Sequence, residues 1–190
     1  MSDTENLTAN ARPLLILDLD ETLVHTVEAP LPVLTPDFVL GELTVYLRPH
    51  VVQFLQRMQA VYDLAIWSAG GSGYVEPTVA FLFAHAGLRP PVFVWSSRRC
   101  TRKFDHETHE VYYIKDLKKV RNKGFDGNRM LIVDDLERNA TRNYGSAVYL
   151  RPFEGAQDDD ELVHLAAYLE GLASHPNFRT VEKRYWRRPR

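Results

Sequence analysis

Leu14-Leu15-Ile16-Leu17-Asp18-Leu19-Asp20-Glu21-Thr22-Leu23-Val24 runs four apolar residues straight into an aspartate. A second aspartate follows two positions later, and a threonine two after that. An uninterrupted apolar run this short, closed by polar residues, predicts a strand buried on both faces of a parallel sheet. Residues just past the carboxyl end of such a strand stand where open α/β sheets bind ligands. Two carboxylates one residue apart repel. They are tolerated where a hard cation binds between them, or where one is a base and the other a nucleophile. A turn or a helix cap would account for one aspartate. Asp-x-Asp-x-Thr directly after a buried strand points instead to chemistry.

The same pattern recurs along the chain. Leu64-Ala65-Ile66-Trp67 delivers Ser68 and the loose Ala69-Gly70-Gly71-Ser72-Gly73, and Met130-Leu131-Ile132-Val133 ends at Asp134-Asp135. Val92-Phe93-Val94-Trp95 and Ala147-Val148-Tyr149-Leu150 read as further strands. Helical stripes separate them: Val51, Phe54, Leu55, Met58 and Val61; then Val75, Val79, Leu82, Phe83 and Ala86, closed by Gly87; then Leu162, Leu165, Ala166, Leu169 and Leu172, capped by Asp158-Asp159-Asp160. Strands alternating with helices predict a three-layer, Rossmann-like α/β fold around a parallel sheet. Phe38 to Leu40 and Leu43 to Leu47 read as a hairpin. Ser96 to Tyr113 is hairpin-like with His106 and His109 near its tip, and Asp116 to Asn122 suggests a short helix. These insertions are flaps, with no room for a large cap domain. The chain divides into a flexible leader (1–12), one domain (13–178) and a basic tail (179–190) expected to be solvated.

With 190 residues, 45% of them hydrophobic, the chain suits one folded domain with a full core. Its single cysteine, Cys100, excludes an internal disulfide framework and points to a reducing, intracellular compartment. No apolar run reaches the length of a membrane span. The expectation is a soluble cytoplasmic protein, or a nuclear one if the source is eukaryotic. A net charge of −2 gives no overall basic face, so nucleic acid is not expected as a partner.

Three apolar strands thus end in Asp18/Asp20, Ser68 and Asp134/Asp135, which would build one polar site along one sheet edge. A phosphate group fits it. A carboxylate can attack phosphorus, splitting one displacement into two. A nearby cation must offset the repulsion between the acids, and Mg²⁺ takes oxygen ligands from a few carboxylates.

Asp18-Leu19-Asp20-Glu21-Thr22-Leu23-Val24-His25 resembles the first motif of the haloacid-dehalogenase-like phosphatases. It is most similar to the branch of small CTD phosphatases and NLI-interacting-factor-like proteins. The likeness extends from about Pro13 to Ala173, taking in Arg48-Pro49-His50, Tyr74 and Lys115-Asp116-Leu117. It implies roles residue by residue. Asp18 is the nucleophile and a metal ligand. Asp20 is the general acid/base, ligating metal through its backbone carbonyl. Ser68 donates to the phosphoryl oxygens, and Lys115 neutralises charge. Asp134 and Asp135 complete the Mg²⁺ site, and Thr22, Arg98 and Arg99 contact substrate. There are two departures. Asp-Asp stands where the family often has Asp-Asn, and Ser97-Arg98-Arg99-Cys100 where it often has Arg-Glu-x-Cys, which leaves open which arginine, if either, reaches phosphate.

Each residue has a plainer reading: a turn hydroxyl for Ser68, a solvated lysine for Lys115, a cap for Asp134-Asp135 and a wall residue for His25. Asp105-His106-Glu107-Thr108-His109 has metal-like composition but, on a hairpin tip, reads as solvated. The expected function is a Mg²⁺-dependent phosphoprotein phosphatase acting on phosphoserine or phosphothreonine, with phosphotyrosine in the same class, through an aspartyl-phosphate. The alternative is the same chemistry on nucleotides, nucleic-acid ends or small phosphoesters; a silent phosphopeptide-binding module is a third reading. An open site between short flaps suits a phosphate on a macromolecule, and a phosphorylated protein or peptide is the expected partner.

Overall fold

The apolar run Leu14–Leu17 forms strand β1, and alternate residues of it serve two separate cores. The computed structural model describes residues 12–143 and 145–187. After β1 come β2 (Val24–Val27), β3 (Phe38–Leu40), β4 (Leu43–Leu47), α1 (Val51–Val61), β5 (Asp63–Trp67), α2 (Ser72–His85) and β6 (Val94–Trp95). Then follow β7 (Thr101–Phe104), β8 (Val111–Ile114), α3 (Lys118–Arg121), β9 (Met130–Asp134), β10 (Ala147–Tyr149) and α4 (Glu161–Leu172). The main sheet has the order β10-β9-β1-β5-β6, with every neighbouring pair parallel.

Leu15, Leu17, Leu64, Ile66, Leu131 and Val133 share one face with the apolar stripes of α1, α2 and α4. Leu14, Ile16, Ala65, Trp67, Met130 and Ile132 turn to the other, where Trp95, Leu117 and Val120 cover them. Burial on both faces explains why the runs are continuous rather than alternating. The three layers are unequal: three long helices on one side, and on the other the four-residue α3 with a cluster of aromatic rings.

The insertions match the flaps expected from their length. Between β1 and β5 lies the antiparallel sheet β2-β4-β3, then α1. Between β5 and β9 lie α2, β6, the β7–β8 hairpin and α3. Among the described residues neither carries a separate cap.

Two local expectations need correction. Asp160 occupies the N-cap position of α4 but its side chain caps nothing; it pairs with Arg187 at 2.6 Å and His164 at 3.0 Å. Asp159 instead accepts from Glu161 N at 3.1 Å. The second correction concerns the basic tail. Residues 1–11 and 188–190 lie outside the described residues, but the tail up to Arg187 is docked rather than solvated. Lys183 is buried and donates to the Phe178 and Val181 carbonyls at 2.5 and 2.6 Å. Trp186 Nε1 donates to Tyr149 O at 2.7 Å, and its ring lies beside Tyr168. Charge alone suggests solvation. The aromatic and the lysine stem carry enough apolar surface to dock.

Arg48 ties the first-motif loop to this far end of the chain. It is fully buried, and its Nε and Nη2 donate to both oxygens of Asp159 at 2.9 and 2.8 Å. Its Nη1 donates to the Glu21 and Thr22 carbonyls at 3.3 and 3.2 Å, and its Nη2 also to Arg151 O at 2.9 Å. Burial pushes the Asp159 carboxyl up, but the Arg48 hydrogen bonds and charge outweigh it and hold the group below its ordinary range. Arg48→Met strands a carboxylate and three carbonyls, so chemical denaturation at pH 7 should show a loss of roughly 3–5 kcal/mol. A depressed folded-state pKa stabilises above the unfolded value of about 3.9 and is lost as pH falls below it. Part of the wild-type acid sensitivity should therefore vanish in the variant. An unchanged midpoint would contradict the clamp.

Candidate active site

β9, β1 and β5 are neighbours, so their carboxyl ends lie side by side and the polar residues that follow converge. The ladder continues past each strand: Asp18 N donates to Val133 O at 3.0 Å, and Ser68 N to Trp95 O at 2.9 Å. Beyond Asp18 the chain turns tightly, with Glu21 N donating to Val24 O and Val24 N to Leu19 O. Glu21 takes the turn at φ 53, in the left-handed region, which costs about 1 kcal/mol or more for a residue with a Cβ. The turn brings Asp20 back towards the sheet edge.

Lys115, at the end of β8, is the centre of the site. Its side chain is fully buried, with Nζ 2.6 Å from Asp18 Oδ1 and 2.8 Å from Asp134 Oδ2. Burial works against the ammonium, but the two carboxylates outweigh it and hold the pKa above its ordinary value. Asp134 Oδ1 also accepts from Asn139 Nδ2 and Leu136 N, each at 3.0 Å. Asn139 O accepts from Lys115 N at 2.8 Å, so one asparagine fixes both partners. Asn143 Oδ1 accepts from Leu117 N at 3.0 Å, and Asn143 Nδ2 donates to Lys115 O.

Asp20 belongs to a second, adjoining network. Ser68 Oγ donates to Asp20 Oδ2 at 3.2 Å and accepts from Gly70 N at 2.9 Å. Tyr74 OH donates to Asp20 Oδ1 and lies 2.7 Å from Thr26 Oγ1. Burial, then the Asp20 charge, pushes the Tyr74 phenol up, so it stays a donor at neutral pH. A side chain at position 70 would crowd this network, since an added Cβ would stand 3.0 Å from Tyr74 Cδ1 and 3.2 Å from Ser68 Oγ, so those side chains would have to give.

Asp18, Asp134 and Asp135 each bring a carboxylate oxygen within 4.8 Å of the other two. Burial pushes the Asp18 carboxyl well above the usual range; Lys115 opposes this, while Asp134 and Asp20 add to it. Burial, then the Asp134 charge, pushes Asp135 up to about 6. One ammonium against three carboxylates leaves the cluster short of positive charge. An all-oxygen donor set with that deficit fits a hard divalent cation.

The sequence-predicted residues are thus partly united. Asp18, Lys115, Asp134 and Asp135 form one cluster, and Asp20 with Ser68 forms the other. Thr22 is fully buried, and its hydroxyl has no hydrogen-bond partner among the described residues. Arg98 and Arg99 lie on the short turn Ser97–Arg99, which Ser97 N joins to Gly70 O at 2.9 Å; both are exposed, with the Arg99 guanidinium 5.4 Å from the Trp95 ring. His25 is a wall residue bonded to Glu21 at 2.9 Å. His106 and His109 stay at the hairpin tip against Phe104. Asn139 and Asn143 escaped sequence reading, because an asparagine in a polar loop carries no periodic signal.

The family model for NLI interacting factor-like phosphatases matches residues 13–179. A human relative, "Carboxy-terminal domain RNA polymerase II polypeptide A small phosphatase 1", is 30% identical over 166 residues, covering 84% of this chain and 59% of its own length. The chain spans little more than half the length of the curated relatives it matches. Among solved structures, a variant of the fission yeast RNA polymerase II CTD phosphatase Fcp1 bound to beryllium fluoride aligns with a TM-score of 0.57 at 18% identity, covering 92% of this chain and 55% of that one. A haloacid-dehalogenase-like hydrolase from Xanthomonas campestris aligns at 0.52 with 9% identity, covering 86% and 97%. The sheet is accordingly that of the haloacid-dehalogenase-like hydrolases. By its family model and its relatives, this chain belongs to the NLI interacting factor-like phosphatases.

Proposed function

We propose that the chain is a Mg²⁺-dependent phosphoprotein phosphatase working through an aspartyl-phosphate on Asp18. The observation that carries this reading is the split of the acids into two networks. Asp18 is pinned by Lys115 next to Asp134 and Asp135, while Asp20 is held separately by Ser68 and Tyr74. A nucleophile and an acid/base need that division, since one must stay ionised while the other passes a proton.

Asp18 attacks phosphorus through a carboxylate oxygen, and the substrate oxygen leaves with a proton from Asp20. Asp20 then takes a proton from water, whose oxygen attacks the phosphoenzyme and releases inorganic phosphate. Lys115 sits against Asp18 and offsets the charge gathering there. Ser68 can rotate from Asp20 towards a phosphoryl oxygen. Asp18, Asp134, Asp135 and the Asp20 backbone carbonyl would hold Mg²⁺, which when bound supplies positive charge to the acids and to the phosphoryl oxygens. The short flaps, and the relatives named for a phosphorylated polymerase tail, favour a phosphoserine or phosphothreonine in an extended peptide.

Turnover of a phosphopeptide panel beside nucleotides and sugar phosphates, with Mg²⁺ and with EDTA, tests the reading. Phosphopeptides should be preferred and EDTA should abolish turnover. Equal rates in EDTA would remove the metal, and a preference for small phosphoesters would remove the peptide. Binding should also stabilise the fold: Mg²⁺ at 100-fold above its dissociation constant should add about 2.7 kcal/mol. In Asp135→Asn that increment should shrink. An undiminished increment would place the cation elsewhere.

A further inference from the structure

A polar cavity of about 220 Å³ lies behind the acidic site, at the amino-terminal end of β9, where Met130 lines it. The far end of that strand carries Asp134, about 13 Å away at roughly 3.3 Å per residue. Three separate stretches of chain bring cations to the cavity: Lys118 and Arg121 from α3, Arg142 from the loop before β10, and Arg179 from the turn after α4. Against these four stands one acid, Asp116, already paired with Arg142 at 3.1 Å and held below the usual carboxylate range. The side chains of Lys118, Arg121 and Arg179 have no hydrogen-bond or ionic partner among the described residues. In a chain of net charge −2, these three exposed cations on one cavity are a local excess of positive charge, partly screened by solvent and salt.

The cavity is shaped for these groups. The Arg121 stem crosses Gly127 so closely that an added Cβ would stand 2.7 Å from Arg121 Cδ. Ser146 lines the wall and is 5% exposed. Guanidinium forks beside a buried hydroxyl match the oxygens of a tetrahedral oxyanion, which arginine binds in bidentate fashion.

We infer that this cavity is a second anion site, built to take a phosphate group carried either on a free polyphosphate or on a phosphorylated protein segment. It is distinct from the acidic cluster and does not depend on the role given to Asp18. A group bound there is retained, because among the described residues the cavity's one acid, Asp116, is tied to Arg142 and no free carboxylate faces it.

Calorimetric titration in EDTA isolates the site, since the acidic cluster without a cation repels anions. Two probes distinguish the sources: pyrophosphate, and a peptide carrying two non-hydrolysable phosphoserine mimics. At least one should bind saturably to the wild-type chain, and Arg121→Glu/Arg179→Glu should weaken it at least tenfold. The exposed charge reversal Arg89→Glu, away from the cavity, should leave it unchanged. Binding by pyrophosphate alone assigns a free anion, and tighter binding of the peptide assigns a protein segment. The milder pair Arg121→Gln/Arg179→Gln should weaken binding in the same order. No saturable binding of either probe, or equal weakening in Arg89→Glu, would overturn the inference.

Discussion

In Asp18→Asn, hydrolysis of an activated aryl phosphate is expected to fall by roughly 10⁴-fold or more, the scale on which covalent catalysis fails when its nucleophile is lost. The same substitution should not unfold the protein. Asp18 is buried, and its ionised form is disfavoured there by burial and by Asp134. A neutral amide of the same shape can still accept from Lys115 and removes that repulsion. Metal-free stability should therefore equal or exceed that of the wild type, so lost activity cannot be assigned to lost structure. Activity within tenfold of wild type would rule Asp18 out as nucleophile.

Lys115→Met should damage both activity and fold, and the two losses can be separated with metal. The substitution keeps most of the volume but leaves the Asp18 and Asp134 carboxylates without the ammonium that lies 2.6 and 2.8 Å from them. Breaking a buried ion pair from one side costs about 3–5 kcal/mol. Burial already raises the Asp18 carboxyl and Lys115 opposes this, so with Lys115 gone stability falls further as pH rises through the raised Asp18 value. Mg²⁺ should recover more stability in the variant than in the wild type, because it replaces the missing charge. Turnover at saturating Mg²⁺ should still be down about 10²–10³-fold, as when one charged stabiliser of a transition state is removed. A variant with wild-type stability in EDTA and wild-type turnover would return Lys115 to the solvated surface.

Much of this architecture is legible in single stretches of sequence. The runs ending at Asp18, Ser68 and Asp134 declare buried parallel strands because every residue in them is apolar, and the polar residue after each run marks where the sheet edge opens. The helical stripes are equally local. Less legible is the edge strand: of the apolar run Val92 to Trp95 only Val94–Trp95 pairs as a strand, although Val92 N still donates to Leu64 O at 2.7 Å. Pro90 and Pro91 before it have no amide hydrogen to offer. Illegible from sequence are the partners that lie far apart along the chain. Arg48 meets Asp159, 111 residues on, and Asp20 meets Tyr74 from another element. Trp186 reaches back to Tyr149. Such contacts leave no period in the sequence, because only the fold brings their members together. The flap arginines are legible only as a basic pair beside a site motif: Arg99 lies over the Trp95 ring and both side chains are exposed.

The division of labour between the two motif aspartates is the centre of the account, and trapping the covalent intermediate tests it most directly. Asp20→Asn keeps the nucleophile while removing the group that passes protons in both half-reactions. With a good leaving group it should still accept phosphate, and release it slowly. Acid-quenching after mixing with an aryl phosphate and Mg²⁺, followed by intact-mass and peptide analysis, should find one phosphoryl group on Asp18 in Asp20→Asn protein, and none in Asp18→Asn protein. A label on Ser68, on Asp20 in the Asp18→Asn protein, or on no residue of the Asp20→Asn protein while it still turns over would contradict the account.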